Sequence, residues 1–231
     1  MVLAAGKGLR LRPLTDRLPK PMVPVLGRPM LEYVVEALRG AGIVDIVVNV
    51  HQHGDAVQAH FGSGERFGVR LRYSREPELL GTAGAVKQAE ADFLDTFVVY
   101  YGDTYVEVDL QEMLSVHRAR RALGTIAVFH AADPSVCGVV ELDEAQRIRR
   151  FVEKPAPGTI PGDLANAGVY ILEPQVVAAI PPRTFSDFGR DIFPELLRQG
   201  AALYAYPLRG QVIGMDTLEG LRRLETYLTA S

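Results

Sequence analysis

The sequence predicts an α/β protein built on a doubly wound, mostly parallel sheet with an inserted, partly antiparallel lobe. Three observations carry this. Strand-like and helix-like segments alternate through the first half of the chain, the rhythm of parallel strands joined by helical crossovers. Residues 43–50, IVDIVVNV, form an almost continuous β-branched run, as expected of a strand covered on both faces. From Val136 the rhythm changes, and strand follows strand around the turn-prone Asp143-Glu144.

Taken in order, residues 1–5 read as a short buried strand and 6–24 as a long loop dense in Gly, Pro, Lys and Arg. Pro29 suits a first helical turn; Leu31, Val34, Val35 and Leu38 follow at helical spacing, and Gly42 closes the helix. Further strands are predicted over 69–73, 96–101 and 125–130, with helices over 55–61, 82–91 and 110–120. In the second half, strands are predicted over 136–142, 147–153 and 165–172, and helices over 174–180, 187–198 and 217–228. The segment 153–163, EKPAPGTIPGD, reads as a loop and not as a domain boundary, and one domain over 1–231 is expected.

Composition narrows the functional classes. A chain of 231 residues suits one large α/β domain with a substantial core. With 48% hydrophobic and 23% charged residues, neither disorder nor a fibrous repeat is indicated. A net charge of −3 and the absence of Trp argue against a nucleic-acid partner, so any anion must be met by a local cluster of cations. No apolar run approaches the roughly 18 to 20 residues that span a bilayer. Gly6 and Lys7 interrupt the opening run too early for a signal peptide, so no membrane partner and a cytoplasmic location are expected. Cys137, the only cysteine, excludes an internal disulfide and a cysteine metal cluster.

That local cluster of cations stands at the start, MVLAAGKGLRLRPLTDRLPKP. A Walker loop is excluded, because no Gly-Lys-Ser/Thr string follows a glycine at the required spacing. A dinucleotide turn fits poorly, because Leu11 takes the place of its third glycine, and an oxidoreductase falls with it. What remains is Gly6 and Gly8 directly after a strand, then Arg10, then Lys20 between Pro19 and Pro21. Glycines there let the backbone approach a phosphate chain and aim N–H groups at it, while Arg10 and Lys20 could neutralise its charge. The plain alternative is a solvated basic loop.

The string LAAGKGLRLRPLTDRLPKPMVPVLGRPML closely resembles the opening of the sugar-phosphate nucleotidyltransferases, a family that includes mannose-1-phosphate guanylyltransferases and glucose-1-phosphate uridylyl- and thymidylyltransferases. Later segments resemble the family in order: EPELLGTAGAV, VVYYGDTYVEVDL, Cys137-Gly138-Val139-Val140, FVEKP, NAGVYIL and GMDTLEGL. The resemblance spans essentially the whole chain and implies a Rossmann-like nucleotidyltransferase fold. It also implies transfer of a nucleoside monophosphate from a nucleoside triphosphate to a sugar 1-phosphate, with release of pyrophosphate and Mg²⁺ as cofactor. Leu3, Ala5, Gly6, Gly8, Arg10, Glu76, Gly81 and Gly84 would bind the nucleotide; Arg10, Lys20 and Asp103 would act in catalysis; Asp103 and Asp216 would hold the metal. Gly138, Glu153, Lys154, Asn166 and Gly168 would receive the sugar phosphate. The chain departs from the family pattern at Leu9 for threonine, Tyr101 for asparagine and Cys137 for tyrosine. Against the family pattern it is expected to start a few residues late and to stop soon after the catalytic region, with no appended domain expected.

Each residue also has a plainer reading. Asp103 after a strand is a common turn former, and Asp216 opens Asp216-Thr217-Leu218-Glu219, a capping box. Glu153 and Lys154 taken alone would be a surface ion pair; both can meet one ligand only if the strand ends or bends there, as Pro155 suggests. Glu76 accepts hydrogen bonds only, which suits the two donors on the pairing edge of guanine and tilts the reading to GTP with mannose 1-phosphate or a related sugar. Uracil's single N–H keeps a uridylyl- or thymidylyltransferase open, and a catalytically silent nucleotide-sugar-binding regulatory subunit stands beside both. His51 and His53 are read as solvated loop residues and not as a metal pair. The sequence leaves room for a homo-oligomer.

Overall fold

The computed structural model describes residues 1–156 and 162–230. The expected loop over 153–163 therefore lies partly, at 157–161, outside the described residues. In chain order the elements are β1 (Val2–Leu3), β2 (Pro24–Val25), β3 (Arg28–Pro29), α1 (Met30–Gly40), β4 (Asp45–Val50), α2 (Gly54–Phe61), β5 (Arg70–Arg75) and α3 (Gly81–Gln88). There follow β6 (Phe97–Tyr101), β7 (Thr104–Val106), α4 (Leu110–Arg120), β8 (Gly124–His130), β9 (Gly138–Leu142), β10 (Ile148–Glu153) and β11 (Leu164–Leu172). The chain continues through α5 (Pro174–Ala178), α6 (Phe193–Arg198), β12 (Leu203–Pro207), β13 (Val212–Gly214) and α7 (Leu218–Ala230). No helix among the described residues is long and apolar enough to cross a membrane.

The chain divides into two compact units, the first made of Met1–Leu79, Tyr100–Val106 and Gln211–Ser231, the second of Leu80–Val99 and Glu107–Gly210. In the first unit β1 lies between β4 and the end of β6, parallel to both, and β5 adds parallel to β4. Five of the six residues of β4 are buried, as its β-branched composition requires. Helix α1 lays Met30, Leu31, Val34, Val35 and Leu38 into the core, each side chain stabilising the unit by about 1.5–3 kcal/mol. The helix ends two residues before Gly42, whose left-handed φ of 81° lets the Ile43 N–H reach back to Leu38 O at 2.9 Å.

The second unit is the antiparallel lobe. Strand β11 pairs antiparallel with β8 and β9, and β9 pairs antiparallel with β10. The strand read at 125–130 thus belongs to this lobe and not to the parallel run expected of the first half. Its second neighbour, β12, was not foreseen; it runs parallel to β8 and ends at Pro207, where a missing N–H is harmless. The helix expected over 187–198 is divided into a wide π-turn, Phe188–Ile192, and α6. Pro194 has no N–H to give to the residue four before it, and the wider turn accommodates that.

Candidate active site

In the first unit, β1 runs straight into the glycine loop. Ala4 is buried, while Leu3 and Ala5 are half-exposed on the other side of the backbone, as strand alternation dictates. The Ala4 N–H donates to Asn49 Oδ1 at 2.6 Å, and Asn49 Nδ2 donates to Glu76 Oε1 at 2.6 Å. Gly6 is exposed, and a Cβ there would meet nothing within 4 Å, so this backbone is open to a ligand. Gly8 is constrained instead: its φ is +60°, and a Cβ would lie 2.9 Å from Thr15 Cγ2 and 3.0 Å from Lys20 Cβ. The Thr15 hydroxyl donates to Gly8 O at 2.8 Å and closes the loop, and Leu11, fully buried, anchors it.

Two short strands bring the acidic residues together. Strands β7 and β13 pair antiparallel, Gly214 opposite Thr104, and the Met215 N–H donates to Asp103 O at 2.9 Å. Neither three-residue strand carries enough pattern to be read from sequence. Helix α7 is capped by Thr217, whose Oγ1 accepts from the Gly220 N–H at 3.1 Å. The capping box expected to start at Asp216 is therefore shifted by one residue, and the Asp216 carboxylate is released from that duty.

Lys20 joins the two acids. Its side chain is only 5% exposed, and its Nζ donates to Asp103 Oδ2 at 2.6 Å and to Asp216 Oδ1 at 2.5 Å. Arg10, largely exposed, reaches the same Asp216 Oδ1 at 2.9 Å, and the Thr104 hydroxyl donates to Asp103 Oδ1 at 3.2 Å. Burial is the largest single influence on the Lys20 ammonium and lowers its pKa, but the attraction of Asp103 and Asp216 together outweighs it, so the pKa is raised. Arg10, Lys20, Asp103 and Asp216, separated by up to 206 positions in the chain, thus form one cluster in the first unit.

The donor chemistry of this cluster fits Mg²⁺. The ion prefers oxygen ligands and is commonly held by one or two carboxylates together with substrate phosphates. Two carboxylates already within reach of one ammonium are close enough to share a cation. Among the described residues no group of three or more His, Cys, Asp or Glu could hold a metal ion, so water or substrate oxygens would complete the shell. His51 Nδ1 lies 2.8 Å from Glu76 O, and His53 is an exposed residue with φ of 59°.

Glu76 follows directly on β5. It is 4% exposed and accepts from Asn49, which in turn holds the Ala4 N–H. A carboxylate so enclosed braces the end of β1. Gly81 and Gly84, in the second unit, also have packing reasons: Cβ atoms there would lie 2.5 Å from Ser186 O and 2.8 Å from Thr184 O.

The remaining expected residues gather in the second unit. Strand β10 ends at Glu153, and Lys154 takes a φ of 49°, so the chain turns where the pair needed it to turn. The Lys154 N–H donates to Cys137 O at 2.8 Å, and Pro155 is buried. Glu153 Oε2 would lie 2.7 Å from a Cβ on Gly138 and 2.5 Å from one on Gly189. Burial first, and then the nearby Asp187 charge, push the Glu153 carboxyl pKa upward against the pull of Lys154. Asn166 is occupied in shaping β11: its Oδ1 accepts from the Gly168 N–H at 2.9 Å and its Nδ2 donates to the Tyr170 hydroxyl at 2.7 Å. Gly168, with φ of +77°, lies in the resulting irregularity between Asn166 and Tyr170.

Sequence reasoning missed Asp187 and Thr82. The Thr82 hydroxyl donates to Asp187 Oδ2 at 2.8 Å, and Asp187 Oδ1 accepts from the Gly189 and Arg190 N–H groups. The signal available was Ser186-Asp187-Phe188-Gly189, an acid directly before a predicted helix. Asn49, inside the apolar run of β4, was the other visible anomaly.

A parallel sheet with a glycine loop leaving its first strand, and paired acids beyond a later strand end, defines a Rossmann-like class of α/β protein. Within that class the chain belongs to the nucleotidyl transferase family, whose model matches residues 1–216. It is 39% identical over 219 residues to a UTP–glucose-1-phosphate uridylyltransferase of Synechocystis sp., covering 89% of this chain and 56% of that protein. It is 36% identical over 208 residues to a mannose-1-phosphate guanylyltransferase of Mycobacterium tuberculosis, covering 89% and 57%. The chain thus spans rather more than half the length of these curated relatives. Among solved structures it resembles a UDP-glucose pyrophosphorylase from Acinetobacter baumannii, with a TM-score of 0.83, 25% identity and coverage of 98% of this chain and 91% of that one.

Proposed function

We propose that this chain transfers a nucleoside monophosphate from a nucleoside triphosphate to a sugar 1-phosphate and releases pyrophosphate. The observation that carries the reading is the convergence of Asp103 and Asp216 on Lys20, beside the loop of Gly6 and Gly8. Family membership and the two named relatives support it.

In this reading the backbone around Leu3, Ala5, Gly6 and Gly8 receives the triphosphate, and Arg10 and Lys20 neutralise charge on the α-phosphate and the departing pyrophosphate. Glu153 accepts from sugar hydroxyls and Lys154 holds the sugar's phosphate, with Gly138, Asn166 and Gly168 shaping the wall around them. A phosphate oxygen of the sugar attacks the α-phosphorus in line. It is already ionised near neutral pH, so positioning and charge neutralisation do the work and no general base is required. Mg²⁺ held by Asp103 and Asp216 would supply further positive charge to the phosphate oxygens.

GTP with mannose 1-phosphate is the pairing proposed first, supported by the guanylyltransferase relative. UTP with glucose 1-phosphate is the second reading, favoured by the 39% identity to the uridylyltransferase. The test is pyrophosphate release from each of GTP, UTP, dTTP and ATP against mannose 1-phosphate and glucose 1-phosphate. The first reading requires the GTP and mannose 1-phosphate arm to dominate; release in no arm would overturn the proposed reaction.

A further inference from the structure

The cluster in the first unit is electrically closed. Two carboxylates, Asp103 and Asp216, face two cations, Lys20 and Arg10, and the four formal charges cancel. Lys20 is enclosed while doing this. Its side chain is 5% exposed, its backbone lies between Pro19 and Pro21, and its Cβ sits close under Gly8. The stem is packed, and the ammonium end is held by hydrogen bonds to the two acids. Its Nζ lies at hydrogen-bond distance from one oxygen of each acid, the place that a shared cation would take.

We infer that Lys20 is a resident counter-ion that closes the carboxylate pair to divalent cations until a triphosphate arrives. This rests on the reading of Asp103 and Asp216 as the metal-holding pair. A dication entering the closed cluster would leave an excess of positive charge beside Arg10 and Lys20, which the low-dielectric surroundings of Lys20 make costly. A triphosphate supplies the missing negative charge and gives the ammonium somewhere else to go, so divalent cation and nucleotide enter together. Lys20 therefore couples the two binding events, in addition to any contact it makes with phosphate.

The experiment is Mn²⁺ binding to the whole chain, followed by electron paramagnetic resonance with Mn²⁺ alone and with Mn²⁺ plus GTP or UTP. Lys20→Met removes the charge and keeps an apolar stem, and Lys7→Gln removes an equal charge from an exposed position of the same loop. With Mn²⁺ alone, Lys20→Met is expected to bind at least about tenfold more tightly than wild type, and Lys7→Gln to behave as wild type. Lys20→Met should also melt at a lower temperature than wild type without metal, because Asp103 then lacks its cation and Arg10 alone faces two carboxylates, and recover on adding Mn²⁺. Should that variant fail to fold, Arg10→Gln carries the test at an exposed site, with a gain of about threefold expected.

Equal Mn²⁺ affinity of wild type and the charge-removing variants, with Mn²⁺ still bound when nucleotide is present, overturns the counter-ion role and leaves the metal pair standing. Absence of Mn²⁺ binding in every protein, with or without nucleotide, overturns the metal pair itself.

Discussion

Two acidic clusters, one in each unit, are balanced in opposite ways. Around Lys20 every carboxylate has a cation: Asp103 and Asp216 share the ammonium, and Arg10 adds to Asp216. Around Glu153 the acids are in excess, since Glu153 is partly enclosed near Asp187, with the exposed Lys154 as its favourable charge. Asp187 is satisfied by Thr82 and two backbone N–H groups, but those are neutral donors. The first cluster is held shut by charge and the second is held in place by backbone geometry. In the proposed reaction the former arrangement would suit an anion arriving with its metal, and the latter would suit hydroxyl groups that need an acceptor.

Breaking the first cluster should have the largest effect. Asp103→Asn keeps the shape but removes one of the charges meeting Lys20, and pyrophosphate release is expected to fall by about 10² to 10³. Initial-rate measurements check this, and a variant within threefold of wild type would remove Asp103 from the proposed chemistry. In the second cluster, Gly138→Ala puts a methyl group 2.7 Å from both Glu153 Oε2 and Phe151 Cζ. Overpacking of that kind costs about 1–3 kcal/mol, read by denaturant melts, and KM for sugar 1-phosphate should rise more than KM for nucleotide.

A pH experiment sharpens the contrast. A raised carboxyl pKa means that folded Glu153 binds its proton more tightly than the unfolded chain does. Wild-type stability should therefore decline as pH rises from the ordinary glutamate value through the folded one. Glu153→Gln should melt a few degrees higher than wild type near pH 7, with the gap closing at pH 4. A gap independent of pH would mean that packing, not charge, sets the difference. The smallest effect is expected at Glu76→Gln. The amide oxygen can still accept from Asn49, so the ratio of GTP to UTP use should change less than about twofold. A switch in base preference would give Glu76 the base-reading role.

The parallel half of the fold and the helix α1 were legible because burial writes itself into side-chain pattern, as in the β-branched run of β4 and the helical spacing of Leu31, Val34, Val35 and Leu38. The acids and the lysine were legible as residues by resemblance. Their meeting was not, because it depends on β7 and β13, three residues each, whose pairing is fixed by long-range contact and not by local propensity. The enclosure of Glu76 was hidden for a related reason. A carboxylate in a strand-end loop looks exposed in sequence, and only Asn49, a polar residue inside an apolar strand, hinted that something buried needed an acceptor.

One glycine without a reactive side chain sets where the Asp216 carboxylate lies. Gly220, in the first turn of α7, lies so near β13 that a Cβ there would sit 2.3 Å from Gly214 O. Helix and strand touch through bare main chain, and Asp216 hangs on the short span between these two contact points. Even a single added carbon would have to lever the helix outward and swing the carboxylate away from its lysine. Tolerance to substitution along this stretch should thus follow clearance and not reactivity, with an inert position as intolerant of change as the acid it serves.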